Sequence, residues 1–545
     1  MPKHLFRRTA VAVAAALLTT AALAVAPHPA EAGRPLSARN LPSGGRVLFY
    51  MGQDSTTLGD FRDDVLDTDP RFPRPAGVTL YTNLVGAPMS GMFQPTDYGS
   101  GENDFPATIN EFGGGLAVGL YLSDPAQTPL KAYAGTGDAA TVARYRKWLD
   151  EFLTYLDRTG REVFLRIGYE FDGAWNAYDP ELYKQAYRYI ARRIDQLGAR
   201  RIATVWQTAS WPRVEKAPFD ATAAGHWDRW YPGDAYVDWA GLSHFYGEQF
   251  DRYQWGCEKP ENIASTPLRV QQSLLDFARR HRKPVFVSES APQGFDLENK
   301  TAGCIFADPA TGGPHATVPV TAQQIWDTWY GPYFRFVERN RDIIRGVAYI
   351  NTDWKSQSMW NCRPGSCANG YWGDSRVQAD PLILARFKNE ISRSLYEHGP
   401  RRARPFEAPD FSGPGRSEAE YADLPHGGTT GIAIADPTAS NDRTALIYAN
   451  GASLAFDHVA GGTALGLRYA TTTDNVNLTV LVNGVARHSV ALPNRGAATN
   501  WADVTLPVPV PRDATVTLRL DSGDVVWIDY LTPGQRHDTI RRPFS

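Results

Sequence analysis

The sequence predicts an α/β protein, a (β/α)8 barrel followed by a smaller C-terminal β-sandwich, and three observations predict it. From Gly45 to about Arg393 short apolar runs alternate with longer helical patterns, as in a parallel sheet covered by helices. Eight such runs occur, which suits a closed barrel with insertions better than an open sheet. Beyond residues 400–416 the texture changes to short alternating strands separated by Gly, Asn and Asp turns, and about 115 residues of that kind make a β-sandwich.

The elements follow in order. Lys3, Arg7 and Arg8 precede an almost uncharged run from Val11 to Val25, and Ala30-Glu31-Ala32 fits a small-x-small cleavage site. Residues 1–32 therefore read as a signal peptide. The run is shorter than the roughly 20 residues that span a bilayer, so export and release from the membrane are expected, through either the general or the twin-arginine route. The barrel domain is expected over 33–399. Its candidate strands are Val47–Tyr50, Val78–Thr82, Leu116–Leu122, Val163–Ile167, Ile202–Trp206, Trp239–Leu242, Val285–Ser288 and Gly346–Ile350. Most are continuous apolar runs, as for strands buried on both faces. After the fourth, Asp179 is a good N-cap and Pro180 suits the first helical position. Tyr183, Tyr187, Ile190 and Ile194 then recur as one buried stripe. The Pro- and Gly-rich stretch 400–416 reads as a linker. In the sandwich, 417–533, Leu467–Tyr469 and Leu478–Leu481 are strands, and Asn483-Gly484 signals a hairpin. Residues 534–545 form a tail.

Composition narrows the function. With 545 residues, 43% hydrophobic and 21% charged, the chain has the make-up of a soluble two-domain protein. A net charge of -3 argues against nucleic acid as a partner. The 15 Trp, 25 Tyr and 24 Phe fit a large core or, equally, rings that stack on sugar faces. Export permits disulfides. Cys362 and Cys367 lack nearby histidines for a metal site, so a short loop-closing bridge is expected. Cys257 and Cys304 follow the sixth and seventh strands and are expected to form the second bridge, although four cysteines allow three connectivities.

Two strand ends carry the chemistry. The fourth runs Leu165-Arg166-Ile167-Gly168-Tyr169-Glu170-Phe171-Asp172-Gly173, with Trp175-Asn176 beyond, and the seventh ends Val287-Ser288-Glu289-Ser290. C-terminal strand ends surround the mouth of a barrel. Glycosidic cleavage needs two carboxyl groups there, one to protonate the leaving oxygen and one to attack or to activate water. Glu170 and Glu289 are the candidates. Arg166 lies on the same strand phase as Glu170 and is expected to pair with Glu289 and keep it ionised; it also suits a structural ion pair filling the barrel. An apolar neighbour such as Trp175 or Trp206 would keep Glu170 protonated.

Three stretches, RIGYEFDGAWN at 166–176, WYPGDAYVDWAGLSHFYG at 230–247 and KPVFVSES at 283–290, give residues 33–395 a resemblance to clan A TIM-barrel glycoside hydrolases, and more narrowly to glycoside hydrolase family 26. The resemblance implies that Glu170 is the acid/base and Glu289 the nucleophile, with Tyr246 hydrogen-bonded to the nucleophile. Members that cleave mannan have His before the acid/base, where this chain has Tyr169, so β-1,3-xylan or mixed-linkage β-glucan is favoured over β-mannan. The sugar-contacting candidates are Arg166, Tyr169, Asp172, Trp175, Trp206, His244, Tyr246, Trp354 and, in the second domain, Trp501. Trp354 and Trp360 serve equally well as a stacking platform or as loop packing.

The second domain resembles carbohydrate-binding modules of families 6 and 35 through SEAEYADL at 417–424, LRYATTT at 467–473, LTVLVNG at 478–484, NWADVTL at 500–506 and WIDYL at 527–531. The resemblance implies a structural Ca²⁺ on Glu418, Glu420 and Asp529, with the two glutamates alternating along one strand face; the alternative is an exposed acidic strand. Trp527 stands where those modules have a sugar-contacting Asn. Together these features predict a secreted, monomeric, retaining endo-glycoside hydrolase that needs no cofactor for catalysis. A hydrolase of a bacterial cell-wall glycan and a non-catalytic polysaccharide-binding protein are the alternatives.

Overall fold

The computed structural model describes residues 36–86, 88–211, 216–245, 266–412, 415–423 and 431–534. The predicted signal peptide, Tyr246, Cys257 and residues 535–545 lie outside the described residues, and with Cys257 the expected bridge to Cys304.

Eight parallel strands close into a barrel: β1 (Val47–Gly52), β2 (Gly77–Asn83), β3 (Gly115–Tyr121), β4 (Val163–Ile167), β5 (Ile202–Thr208), β6 (Trp239–His244), β7 (Val285–Ser290) and β8 (Ile344–Ile350). Each pairs with the next, and β8 returns to β1, with Leu48 opposite Gly346 and Gly52 opposite Ile350. Every predicted strand lies in this sheet, and β2, β5, β6 and β7 run beyond their predicted ends because polar residues there continue the ladder.

Large rings fill the lower part of the barrel. Tyr50 meets Phe164 and Phe286 edge to face at 5.7 and 5.4 Å, and Phe164 stacks on Phe286 at 5.1 Å. Ala203, Val205 and Trp239 complete this inner cluster. Because side chains alternate along a strand, the cluster fixes which phase points inward higher up. Helices pack outside. In Pro180–Gln196 the Asp179 carboxylate accepts from the N–H groups of Glu181 and Leu182, both at 2.9 Å, and Tyr183, Tyr187, Ile190 and Ile194 are fully buried.

The stretch expected to be a linker lies against the barrel. Arg161 donates to the Arg404 carbonyl at 3.2 Å, and Asn110 exchanges two hydrogen bonds with the Phe406 backbone. Tyr155 and Phe93 make edge contacts with Phe406 and Phe411 at 5.2 and 6.4 Å.

The second domain is a sandwich of antiparallel strands: β9 (Ser417–Glu418), β10 (Gly431–Ala435), β11 (Arg443–Ile447), β12 (Ser453–Val459), β13 (Ala464–Ala470), β14 (Val476–Val482), β15 (Val485–Leu492), β16 (Ala502–Leu506), β17 (Ala514–Ser522) and β18 (Val526–Gly534). One sheet runs β10-β11-β18-β13-β16 with β9 added to β18; the other runs β12-β17-β14-β15. Leu467, Leu478, Leu518 and Ile528 pack between them. Asn483 and Gly484, both with positive φ, turn β14 into β15 as the hairpin signal predicts. The predicted strand carrying Glu418 and Glu420 is shorter than expected: it ends at Glu418, and Ala419–Tyr421 is a 3-10 turn. The two glutamates therefore do not alternate along one strand face.

The domains meet through buried polar groups. Arg443 on β11 reaches Glu151, on the barrel helix Ala139–Arg158, and lies over the Tyr421 ring; Tyr421 also donates to Glu151 at 3.1 Å. Gln94 donates to the Ala422 carbonyl at 3.1 Å. Among the described residues no helix is long and apolar enough to cross a membrane.

Candidate active site

The inward phase of the strands builds the floor of the mouth. Phe164 points inward, so Arg166 two residues on does too; by the same count Gln207 follows Val205, and Ser243, four residues on and so in phase, follows Trp239. Strand β7 needs a correction to that count. Its register against β6 shifts between Leu242↔Val287 and Ser243↔Glu289. The extra residue, Ser288, brings Glu289 level with Ser243 although Glu289 is out of phase with Phe286, a bulge that re-aims a side chain.

Three donors converge on one oxygen of Glu289. Arg166 Nη1 lies 2.6 Å from Oε1, the Tyr81 hydroxyl 2.8 Å and Gln207 Nε2 3.3 Å. Arg166 is fully buried and Glu289 is 6% exposed. A charge pair this dry holds only when geometry and further hydrogen bonds compensate the lost hydration, and the two neutral donors supply those bonds. Burial keeps the Tyr81 phenol well above its ordinary pKa, so it remains a donor. Gly119 makes the arrangement possible: a Cβ there would sit 2.5 Å from the Tyr81 ring and 2.8 Å from Arg166 Nη2.

Glu170 stands on the turn after β4 with φ 51°, a left-handed conformation that costs a non-glycine residue about 1–2 kcal/mol. Neighbours hold it. Its carbonyl accepts from the Gly173 N–H at 2.8 Å and from Asn176 Nδ2 at 3.0 Å, and the next N–H, of Phe171, donates to the Gln207 carbonyl at 3.1 Å. Its carboxyl receives Ser243 Oγ on Oε1 at 2.7 Å and Trp175 Nε1 on Oε2 at 3.2 Å. Burial first, and then the charge of Glu289, push its pKa up to about 8. The two carboxyl groups are thus unequal: one is held by a buried arginine, and the other has its pKa pushed up by burial and by its neighbour's charge.

The other predicted residues divide by exposure. Trp175 is 57% exposed at the rim, and Tyr169, half-buried, lies edge-on to Tyr81 at 5.2 Å. Four expected sugar contacts are instead buried. Trp206 and His244 are each one residue out of phase with the inward-facing Gln207 and Ser243. Trp206 stacks on Phe171 at 4.5 Å, and His244 packs among Trp329, Tyr333 and Phe336, where burial lowers its pKa to about 4. Asp172 accepts from Thr208 Oγ1 at 2.5 Å and the Ala209 N–H at 2.9 Å, and His226 lies 2.9 Å away, so it braces the loop after β5. Trp354 donates to Ser375 Oγ at 3.0 Å and packs on Trp372 and Trp360; this is the loop-packing alternative, beside the Cys362–Cys367 bridge, which is formed. Tyr81, Gln207 and Ser243 were not anticipated. The phase of Arg166 and of the inner apolar residues was the signal that could have found them.

In the sandwich, Glu418, Glu420 and Asp529 surround the turn Ser440–Asp442. Ser440 donates to Glu418 through Oγ at 2.9 Å and to Asp529 through its N–H at 2.8 Å, and Asn441 Nδ2 reaches Glu420 at 2.5 Å. Arg468 pairs with Asp529 at 2.8 Å, and Arg443 stands 3.6 Å from Glu420. Oε2 of both glutamates is buried and accepts no hydrogen bond. Burial raises the pKa of Glu420 to about 8 and of Asp529 to about 7. A tighter acidic group, Asp296, Glu298 and Asp374, is already answered by Lys355 and Arg376. Trp501 is half-buried; its Nε1 donates to Thr438 at 3.0 Å and Arg468 lies over its ring.

Known proteins bear on this geometry. A β-1,3-xylanase from an Alcaligenes species is 33% identical over 363 residues, 66% of this chain and 66% of that protein. Another, β-1,3-xylanase TXYA from a Vibrio species, is 34% identical over 361 residues, 66% of this chain and 67% of its own length. The chain belongs to the family of these β-1,3-xylanases. It spans about two thirds of the length of the two xylanases. No family model matches it. Among solved structures, a Bacillus subtilis mannanase is 16% identical with a TM-score of 0.35, covering 60% of this chain and 85% of its own; so slight a likeness adds nothing to the closed barrel that the β-1,3-xylanase family member displays directly.

Proposed function

We propose that this chain is a secreted, retaining endo-β-1,3-xylanase of the family 26 type, carrying a module related to carbohydrate-binding families 6 and 35. The observation that carries the reading is the split between Glu289, held by Arg166, Tyr81 and Gln207, and Glu170, whose pKa is pushed up to about 8. The kinship with two β-1,3-xylanases supports the substrate class.

In this reading Glu289 attacks the anomeric carbon while Glu170 gives its proton to the departing glycosidic oxygen. Glycosylation removes the charge of Glu289, which was the second cause of the raised Glu170 pKa, so the newly ionised Glu170 no longer faces the stronger of its two negative neighbours. It then takes a proton from water, which attacks the same carbon and releases Glu289. Trp175, exposed and bonded to Glu170, would meet the sugar whose oxygen is being protonated.

A structural Ca²⁺ in the module would be held by Glu418, Glu420 and Asp529: Oε2 of both glutamates is buried without a donor, while Asp529 is paired with Arg468, which the cation would displace. It would supply charge compensation and take no part in hydrolysis.

Hydrolysis of purified β-1,3-xylan, mixed-linkage β-glucan and β-mannan, with proton NMR of the first products, tests the proposal. Fast release of short β-1,3-xylo-oligosaccharides of retained configuration is expected. Inverted product would overturn the mechanism, and preference for mannan the substrate.

A further inference from the structure

We infer that Gln207 and Ser243 form a one-way chain of hydrogen bonds from Arg166 to Glu170 that decides which oxygen of each glutamate reacts: Oε2 of Glu289 as nucleophile and Oε2 of Glu170 as proton donor. The inference rests on the hydrolytic reading above and deepens it by assigning two positioning residues.

The direction of the chain follows from chemistry that permits no reversal. A guanidinium only donates. Arg166 Nη1 lies 3.3 Å from Gln207 Oε1, so that atom is the amide oxygen and the other end of Gln207 is its NH2 group. Nε2 has two protons and two acceptors: Ser243 Oγ at 3.1 Å and Glu289 Oε1 at 3.3 Å. Ser243, accepting from Gln207, turns its own proton to Glu170 Oε1 at 2.7 Å. Glu170 Oε1 is therefore an acceptor, the carbonyl oxygen of the protonated acid. Trp175 Nε1, which only donates, reaches Oε2 at the longer distance of 3.2 Å and from the exposed rim, so Oε1 is the better-held acceptor and the acid proton is assigned to Oε2.

At Glu289 the same logic selects the attacking atom. Arg166, Tyr81 and Gln207 all donate to Oε1, which saturates its lone pairs. Oε2 receives none of these bonds and keeps the electron pair that attacks. In the first step Glu289 Oε2 bonds to the anomeric carbon, the bond from that carbon to the glycosidic oxygen breaks with its electron pair on oxygen, and that oxygen takes the proton from Glu170 Oε2. In the second, water bonds to the anomeric carbon and passes a proton to Glu170 Oε2, and the ester bond breaks with its pair returning to Glu289. Ser243 keeps donating to Glu170 Oε1 throughout and stabilises the carboxylate present between the steps. Its hydrogen bond favours the ionised form of Glu170, which the first step forms and from which the second must start; with a leaving group that needs no proton, only the second step depends on it.

The test uses the full-length enzyme with an aryl β-1,3-xylobioside of good leaving group. Ser243→Ala should leave glycosylation near the wild-type rate and slow deglycosylation about tenfold or more, a loss inside the range of general base catalysis, so that kcat and KM fall together. The basic limb of kcat/KM should move to higher pH, and Ser243→Thr should restore both. Gln207→Glu accepts from Arg166 but as a carboxylate donates to neither neighbour, so it should lose more than Ser243→Ala, whereas a change of packing alone would leave the pH profile where it was. Trapping with a 2-fluoro glycoside followed by crystallography should find the sugar on Glu289 Oε2, with Oε1 still held by Arg166 and Tyr81. An ester through Oε1, or a Ser243→Ala enzyme with the wild-type pH profile and an unchanged deglycosylation rate, would overturn the inference. Full activity in Glu289→Ala would instead reject the hydrolytic reading on which it rests.

Discussion

The mouth of the barrel and the turn beneath Glu418 both gather carboxyl groups out of water, and they treat them in opposite ways. At the mouth, Arg166, Tyr81, Gln207, Ser243 and Trp175 aim donors at chosen oxygens and make the two groups unequal. In the sandwich the groups stay alike: Glu420 and Asp529 both have raised pKa values, and Glu418 and Glu420 each keep an oxygen without a donor. Inequality suits moving a proton between partners. A deficit shared by several acids suits one cation that answers them all.

The sharpest way to break the comparison is to remove one side of the unequal pair. Glu289→Ala should lower kcat on β-1,3-xylan by about four orders of magnitude or more, because members of a catalytic unit fail together. Glu170→Ala should still release an activated phenol and gain turnover from azide, yielding a glycosyl azide of retained configuration; equal failure of both mutants on that substrate would erase the distinction.

Next in size is the pair between the domains. Arg443→Ala removes the buried cation shared by Glu151 and Glu420, leaving Glu151 to Tyr421 and Lys147 and Glu420 to Asn441, and should cost about 3 kcal/mol, read from chemical denaturation of the whole protein. A loss below about 1 kcal/mol, the scale of an exposed pair, would make this contact peripheral.

A third prediction concerns pH. Glu170 is competent as an acid only while protonated, so kcat/KM should fall about tenfold per unit above pH 8, where its pKa lies. A basic limb below pH 6 would mean that burial does not control this group.

The smallest effect belongs to the sandwich. Glu420 has a folded pKa of about 8, above the unfolded value of about 4.3. Between those values the folded state holds more protons than the unfolded one, so stability falls as pH rises. A cation replaces the missing protons, so Ca²⁺ should raise Tm over chelator by several degrees at pH 8 and by less at pH 5. Identical melting curves at pH 8 would return the trio to an ordinary acidic turn.

The barrel was legible because strands buried on both faces leave continuous apolar runs, and Glu170, Glu289 and Arg166 because ionisable residues interrupt those runs. Trp206 and His244 are buried away from the mouth for a physical reason. Their size drew attention, yet strand alternation turns them outward, while their modest neighbours Gln207 and Ser243 face the site. The bulge at Ser288 and the turn after Glu418 were hidden, since a one-residue shift in register depends on the partner strand rather than on the residues that shift. Composition set the stretch 400–416 apart but could not tell that Arg404, Phe406 and Phe411 within it pack on the barrel, because proline and glycine mark a bend whether or not it is packed.

That packed stretch has a practical consequence for anyone who would treat the two domains as interchangeable cassettes. A cut at residue 400 follows the boundary that composition draws, yet it would strip Phe406 and Phe411 from Tyr155 and Phe93 and Arg443 from Glu151. The excised barrel would carry a sticky aromatic scar around an acid left to Lys147 alone, and a foreign module grafted there would inherit a socket shaped for another plug.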